Sequence, residues 1–452
     1  AKNLALNSQI LSSQSGVIQH AGSGTLSIKT RETLADQAKL LTQGDLRLDT
    51  GVASFNQSVV TAQNGDIRAQ SLFNTAGQMV FTALDGQSIF NIGQLLNNNA
   101  GVIQSSHTLQ LNAADLNNQK GTIQTVQAKD ADNNVDLKLQ VLDKIQNDQG
   151  ILSSAGQLDI ASIELSNIKG IIGSAGDFKL DQQGQLNNRE GVIQAQNVVI
   201  SAGSIDNQQG KLIAQTGAMQ LNAKQSINNG EIVNGQAQGA GLIQAGKGLD
   251  IHAANLSNTG LMYAGTDHQL NIQEKFSNAG QIAAAKNTTI RVADLEQTAT
   301  GSLLAGLNRD GTLAAEGDLS VNASQNIQSA GQWVAAGTLK STAASQQLDQ
   351  AIINAKVIEI SSLEGEISAE KAKIHAKEKL QLHAKTDLSS KDAIISADQL
   401  QIQARDWHNQ AGTVQQRGQA VTDIQLSGQW NNQKGLFDTQ ASQSNIKATS
   451  IN

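Results

Sequence analysis

The chain has no proline, no cysteine and few aromatic residues: three Trp, one Tyr and seven Phe in 452 positions. Without cysteine there is no disulfide framework, no thiol nucleophile and no thiolate metal site. Two or three unrelated globular domains, which this length allows, normally carry some proline in their loops and a break in composition between them. Proline is absent, the composition shows no such break, and 41 glycines are spread along nearly the whole length. That texture points to one architecture repeated many times. No apolar run approaches the roughly 18 residues a membrane helix needs. The amino terminus, Ala1-Lys2-Asn3-Leu4-Ala5-Leu6, lacks signal-peptide architecture, so any export signal is expected outside this segment. The formal net charge is only −7 and no basic patch alternates with aromatics, which argues against a nucleic-acid partner.

What the chain does have is self-similarity. Leu96 to Gln104 reads LNNNAGVIQ, Leu116 to Gln124 reads LNNQKGTIQ, and Leu186 to Gln194 reads LNNREGVIQ. Related phrases begin at Leu11, Leu72, Ile145, Leu165, Ile205, Leu256, Phe276, Trp407 and Trp430. The marker glycines Gly101, Gly121, Gly150, Gly170, Gly191, Gly210 and Gly230 lie mostly 19 to 21 residues apart, with an insertion between Gly121 and Gly150. About eight residues after each marker comes a short alternating stretch, such as Leu109-Gln110-Leu111, Leu158-Asp159-Ile160 or Phe178-Lys179-Leu180. Alternation over so few residues, bounded by glycine and rich in β-branched side chains, reads as half-buried β-strand; no 3.6-residue stripe supports a helix. Disorder is a poor account, because disordered chains lack regularly placed aliphatics. Short strands and turns with a period of about 20 residues define an all-β fold, a right-handed parallel β-helix or β-solenoid.

One coil, Gly101 to Lys120, is expected to point Ile103, Leu109, Leu111 and Leu116 inward, with Gly101 turning the chain at positive φ. Period 2 then places Asn118 on the same inward face as Leu116, and likewise Asn167 with Leu165, Asn188 with Leu186 and Asn207 with Ile205. A buried Asn is costly without a partner, but stacked coils offer a ladder of amide hydrogen bonds. The competing reading is a row of turn asparagines in left-handed geometry. The ladder is the favoured expectation, and neither reading implies a ligand.

Function is often inserted where a repeat breaks. Asp130, Asp132, Asn134 and Asp136, within 128–136, have the alternate spacing of a calcium loop, but Val135 stands where such a loop needs glycine and Val141 where it needs a bidentate Glu. An ordinary solvated loop is expected there. A second break, Glu231 to Ala240, carries no chemical signature, and a third, Gly306 to Gly311, reads as a projecting turn. From Lys356 to Ala404 the Asn phrase disappears. There Lys371, Lys373, Lys377, Lys379, Lys385 and Lys391 gather among Glu370, Glu378 and Asp387, read as a solvated charged face. His375 and His383 occupy similar places, but no carboxylate cluster accompanies them to make a zinc site. No nucleophile elbow, phosphate loop or zinc-protease motif is present. The chain is therefore expected to have no catalytic, cofactor-binding or metal residues, and not to be an enzyme.

The phrase Leu-x-Asn-x-x-Gly-x-Ile-Gln followed by Leu-x-Leu-x-Ala resembles the haemagglutinin repeat of filamentous haemagglutinin and of the toxin-carrying exoproteins of contact-dependent growth inhibition. The resemblance is close over residues 96–300, returns around 405–435, and is looser at 30–70 and 350–400. It implies a β-helical filament on a Gram-negative cell surface, exported by the outer-membrane transporter of two-partner secretion. The implied role is a shaft presenting a toxin or receptor-binding region to a target-cell receptor. The alternatives are a filamentous adhesin and, third, a β-helical polysaccharide lyase or hydrolase. The residues show none of the acidic clusters or stacking aromatics that the enzyme would need. The expected organisation is irregular coils at 1–95, regular repeats at 96–350, a charge-richer variant at 351–404 and the regular repeat again at 405–452. Neither end carries a polar cap, so both are expected to be open ends of a longer rod.

Overall fold

The computed structural model describes residues 1–127, 135–308 and 310–452. The chain divides into two units, Ala1–Ala223 and Lys224–Asn452, built on the same plan. Among the described residues there are strands and no helix. Each unit is a parallel β-solenoid with coils of about 21 residues, as the sequence period predicts.

A coil of the first unit runs through three strand segments, Val102–Ser105 and the two arms of the bent strand Thr108–Asn117; after a turn, Thr122–Thr125 starts the next coil. Pairing is in register from coil to coil. Ile103 lies over Ile123, which is followed in the same column by Leu152, Ile172, Ile193 and Leu212. A second column holds Leu109, Leu137, Leu158, Phe178, Val198 and Met219. The third holds Leu116, Ile145, Leu165, Leu186 and Ile205. The four residues expected inward in this coil, Ile103, Leu109, Leu111 and Leu116, are all buried. Burying such a side chain contributes about 1.5–3 kcal/mol. The absence of proline has a direct consequence: no strand position lacks the N–H that binds the neighbouring coil.

The second unit repeats the plan from Leu242–Ala245 onward, with one column running Ile243, Met262, Ile282, Leu303, Trp333, Ile353. In the Leu116-type column Trp407 is stacked on Trp430, ring centroids 4.6 Å apart and 9° from parallel, with Phe437 edge-on to both. The segment from Lys356 to Ala404 keeps the coil plan although its sequence phrase differs. Strand Ile352–Ser362 pairs in parallel with Lys373–Ala384, which pairs with Ile394–Ala397 and Gln399–Ala404. Its lysines point outward. Two of them form exposed ion pairs, Lys356 with Glu378 at 3.4 Å and Lys391 with Glu370 at 3.2 Å, each worth at most about 1 kcal/mol.

One expectation about the turns is corrected. Gly101 does not hold positive φ; Ala100 does, at 53°. The same holds at Lys120 (57°), Gln149 (58°), Lys169 (56°), Glu190 (55°) and Gln209 (57°), each immediately before a marker glycine. The turn is a four-residue one, closed by Gly121 N–H donating to the Asn118 carbonyl at 3.0 Å, with its third residue left-handed. Left-handed geometry costs a non-glycine residue about 1–2 kcal/mol. A coil-to-coil hydrogen bond from Ala100, Lys120, Gln149, Lys169 and Glu190, Lys120 N–H to the Asp148 carbonyl at 3.0 Å for example, holds the conformation in place. Glycine follows for a steric reason. A Cβ on Gly101 would collide with the Asn74 carbonyl oxygen of the coil before and sit 2.7 Å from the Asn98 amide oxygen of its own coil.

Candidate functional site

The strongest polar constellation in the molecule is interior. In the first unit Asn74, Asn98, Asn118, Asn147, Asn167, Asn188 and Asn207 are fully buried at the turn that follows the third strand segment. Each Nδ2 donates to the Oδ1 one coil on: Asn74 to Asn98, Asn98 to Asn118, Asn118 to Asn147 and Asn147 to Asn167 at 2.7 Å, then Asn167 to Asn188 and Asn188 to Asn207 at 2.8 Å. The second amide hydrogen is used as well, for Asn98 on the Gly101 carbonyl at 3.1 Å. The expected inward ladder is what forms, and the left-handed residue is two positions further on. Amides polarised in a chain strengthen one another in a dry interior.

In the second unit the ladder runs Asn229 to Asn258 (2.8 Å) and Asn258 to Asn278 (2.9 Å), then changes composition. Gln297 takes the next place, and its Oε1 accepts from Trp333 Nε1 at 2.6 Å. Ser329 comes next, its Oγ donating to Gln297 Oε1 at 3.3 Å, and Leu348, Ala369 and Ser390 follow, all buried. Ser390 restarts the polar chain: its Oγ accepts from Trp407 Nε1 and donates to Asn409 Oδ1, both at 2.8 Å, and Asn409 donates to Asn432 at 2.7 Å. Wherever the four-residue turn begins with Asn, glycine closes it. Among the described residues alanine or serine takes the fourth place of a turn with a left-handed third residue at Ala38, Ser58, Ala351, Ala372 and Ala393, where the turn begins with Ala35, Phe55, Leu348, Ala369 and Ser390.

His268 is a buried polar residue that pattern reading passed over. It occupies an inward place between Leu249 and Thr288 and is fully buried. Burial pushes its pKa down to about 3, against a smaller raising effect of the Ala283 carbonyl, and neither ring nitrogen makes a well-directed hydrogen bond. The folded ring is therefore neutral where an unfolded one, with a value of 6.5, takes a proton. Stability is full above that unfolded value and falls as pH drops from there to about 3, by up to about 1.4 kcal/mol per pH unit. In denaturant melts at neutral pH and at about pH 4.5, His268→Leu should narrow the gap between the two by about 2 kcal/mol. An unchanged gap would show that this ring does not titrate as described.

Two of the concavities in the outer wall stand out by volume. One, of about 640 Å³, follows the corner near Arg68, Asn91, Gly93, Asn112 and Leu142 in the first unit. The other, of about 680 Å³, lies in the second unit between the insertion at Glu231–Gln238 and the wall at Lys275, Glu296, Gln328 and Gln347. That insertion is an antiparallel hairpin, Glu231–Val233 with Gln236–Gln238, anchored at its base by Thr259 Oγ1 donating to the Gln238 carbonyl at 2.8 Å.

The residues weighed for metal binding are not brought together. Asp130, Asp132 and Asn134 lie outside the described residues. Asp136 accepts from the Gln157 N–H at 2.9 Å, while Val135 and Val141 are interior. His375 and His383 face outward on either side of a bend in Lys373–Ala384, His375 Nδ1 within 2.8 Å of Ser396 Oγ. Among the described residues no three His, Cys, Asp or Glu side chains gather as a metal ion would require. No helix among them is long and apolar enough to cross a membrane.

A parallel solenoid whose most ordered polar groups are spent inside, holding coil to coil, defines a structural repeat protein. Seven overlapping stretches, residues 1–71, 54–87, 69–147, 132–209, 182–272, 266–384 and 376–447, match the haemagglutinin repeat. The chain belongs to the haemagglutinin-repeat family, one typically structural, and its coils are of the kind that build filamentous exoprotein shafts. It is also 28% identical to the protein described as toxin CdiA of Yersinia pestis over 186 residues, which are 41% of this chain and 6% of that protein. No solved structure matches it.

Proposed function

We propose that the chain is a shaft segment of a large secreted cell-surface exoprotein, holding a toxin or receptor-binding region toward a target cell as in contact-dependent growth inhibition. Its partners on this reading are the outer-membrane transporter of two-partner secretion and an unidentified receptor on the target cell. The chain catalyses nothing itself. The observation that carries the proposal is the interior ladder: the polar residues that recur with the repeat face their own kind in the next coil, and are not presented to a substrate. A repeat free of cysteine and proline also suits export as an unfolded thread, followed by coil-on-coil folding outside the cell.

Removing one whole coil tests this. Deleting residues 151–170 from the intact exoprotein joins Gly150 to Ile171 and leaves Asn147 to pair with Asn188. A shaft should tolerate it, with surface display and target-cell activity within about twofold of the parent. If display persists but activity is lost, the function resides in the wall of these coils and the shaft reading fails. The adhesin alternative predicts instead that the purified chain itself binds target cells.

A further inference from the structure

Three Asn-Gly dipeptides occur in the chain, at Asn64-Gly65, Asn229-Gly230 and Asn234-Gly235. Such a pair can cyclise. The glycine backbone nitrogen attacks the Asn Cγ, the bond from Cγ to Nδ2 breaks, and the nitrogen's proton leaves with that amide as ammonia. Water then opens the five-membered imide at either carbonyl, giving aspartate or isoaspartate. The reaction needs an accessible side-chain amide, a free attacking N–H, water, and backbone freedom to bring the two together.

The fold denies those conditions to two of the three pairs. Asn229 is a fully buried ladder member whose Nδ2 donates to Asn258 Oδ1 at 2.8 Å and to the Gly241 carbonyl at 3.2 Å. A Cβ at Gly230 would collide with Thr259 Oγ1, so its backbone is closely enclosed. At the other pair, Asn64 Nδ2 donates to Asp45 Oδ1 at 2.8 Å. The attacking group itself, Gly65 N–H, donates to Ser88 Oγ at 2.9 Å and starts the strand Gly65–Phe73.

The third pair meets every condition. Asn234 and Gly235 form the two-residue tip of the hairpin, both at positive φ (51° and 76°) as an Asn-Gly hairpin turn requires, and both exposed. No atom comes within 4 Å of a Cβ built on Gly235, so the tip has room to leave the turn geometry. Opening it disturbs only a two-stranded hairpin, which has little stability of its own.

We propose that Asn234 is a self-modifying site, converting to aspartate and isoaspartate in the folded protein while Asn64 and Asn229 are protected. Each conversion adds one negative charge at the rim of the cleft that already holds Glu296 and Asp349. Isoaspartate also lengthens the backbone by one methylene and undoes the Asn-Gly turn. The hairpin that forms one wall of the cleft thereby changes charge and shape with the age of the protein, without an enzyme.

The test incubates the full chain in mildly alkaline buffer. It follows each pair by peptide mass spectrometry and by labelling with an isoaspartyl methyltransferase. In the native protein isoaspartate should accumulate at Asn234 at least about tenfold faster than at Asn64 or Asn229, whose reaction requires local opening. In concentrated urea all three should react at similar rates, which shows that the fold and not the local sequence makes the difference. Asn234→Ser should abolish native labelling without changing the melting curve. No isoaspartate at Asn234 in the native protein, or equal native rates at the three pairs, would overturn the proposal.

Discussion

Asn147→Leu should destabilise its part of the first unit by about 2–5 kcal/mol, although leucine is more apolar and similar in size. The substitution strands two neighbours. Asn118 loses the Oδ1 it donates to at 2.7 Å, and Asn167 loses the donor to its own Oδ1, also at 2.7 Å. Both lie fully buried, so water cannot replace what is lost. Each stranded group costs about 1–3 kcal/mol. A leucine side chain also has no use for the Gly150 carbonyl, to which Asn147 Nδ2 donates at 3.2 Å. In a solenoid each coil touches only its neighbours, so the loss should be local. Native-state hydrogen exchange is the suitable measurement. Amides of the coils around Asn118, Asn147 and Asn167 should lose protection by roughly 2–3 orders of magnitude, and those near Ile28 in the same unit should keep theirs. Exchange that speeds up uniformly through the unit, or not at all, would show that the ladder does not hold individual coils together.

Why the ladder was legible and other features were not follows from the period. Leu116 and Asn118 differ by two residues, and in a strand that spacing leaves one choice of face. Once Leu116 is inside, Asn118 is inside, and the need to satisfy it leads to its stacked copies. The role of Gly101 is not legible in the sequence because two causes give the same letter. Positive φ and close approach both select glycine; here Lys120 and its counterparts take the φ, and Gly121 takes the approach. Only coordinates separate the two. From Leu348 to Ala393 the phrase vanishes and the coil persists, because Leu348 with Ala351, Ala369 with Ala372, and Ser390 with Ala393 fill the same space with different groups. His268 was readable in principle, since His268-Gln269-Leu270 stands where Leu249-Asp250-Ile251 stands one coil earlier, but a histidine does not fit an aliphatic pattern. Gln346 is similar. It is buried in the column that holds Ile327 and Ile367, and is matched by Ser341 Oγ at 2.6 Å and the Ser361 carbonyl at 2.8 Å. Those partners sit 5 and 15 residues away, at no fixed spacing that a repeat would reveal.

The substitution of a turn's Asn together with its glycine gives the sharpest test of the coil design. Gly170→Ala alone should cost about 2–3 kcal/mol, because the new methyl group meets groups that cannot yield. One is the Asn147 carbonyl oxygen, fixed in the coil before, and the other is the Asn167 amide oxygen, fixed by the ladder. Asn167→Leu alone should cost about as much as Asn147→Leu, for the same reason of stranded neighbours. The double variant places Leu and Ala as the chain itself does at Leu348 and Ala351. There the alanine no longer faces an amide of its own coil, and the turn is free to take the form it has around Gln350, whose φ is 66° where that of Lys169 is 56°. The two changes touch the same atoms, so their effects should not add. The double variant should be more stable than the sum of the single costs predicts, by about 1 kcal/mol or more. Denaturant melts of the four proteins complete the cycle. Strict additivity would mean that Asn and glycine act on the turn independently, and that the five glycine-free turns need some other explanation.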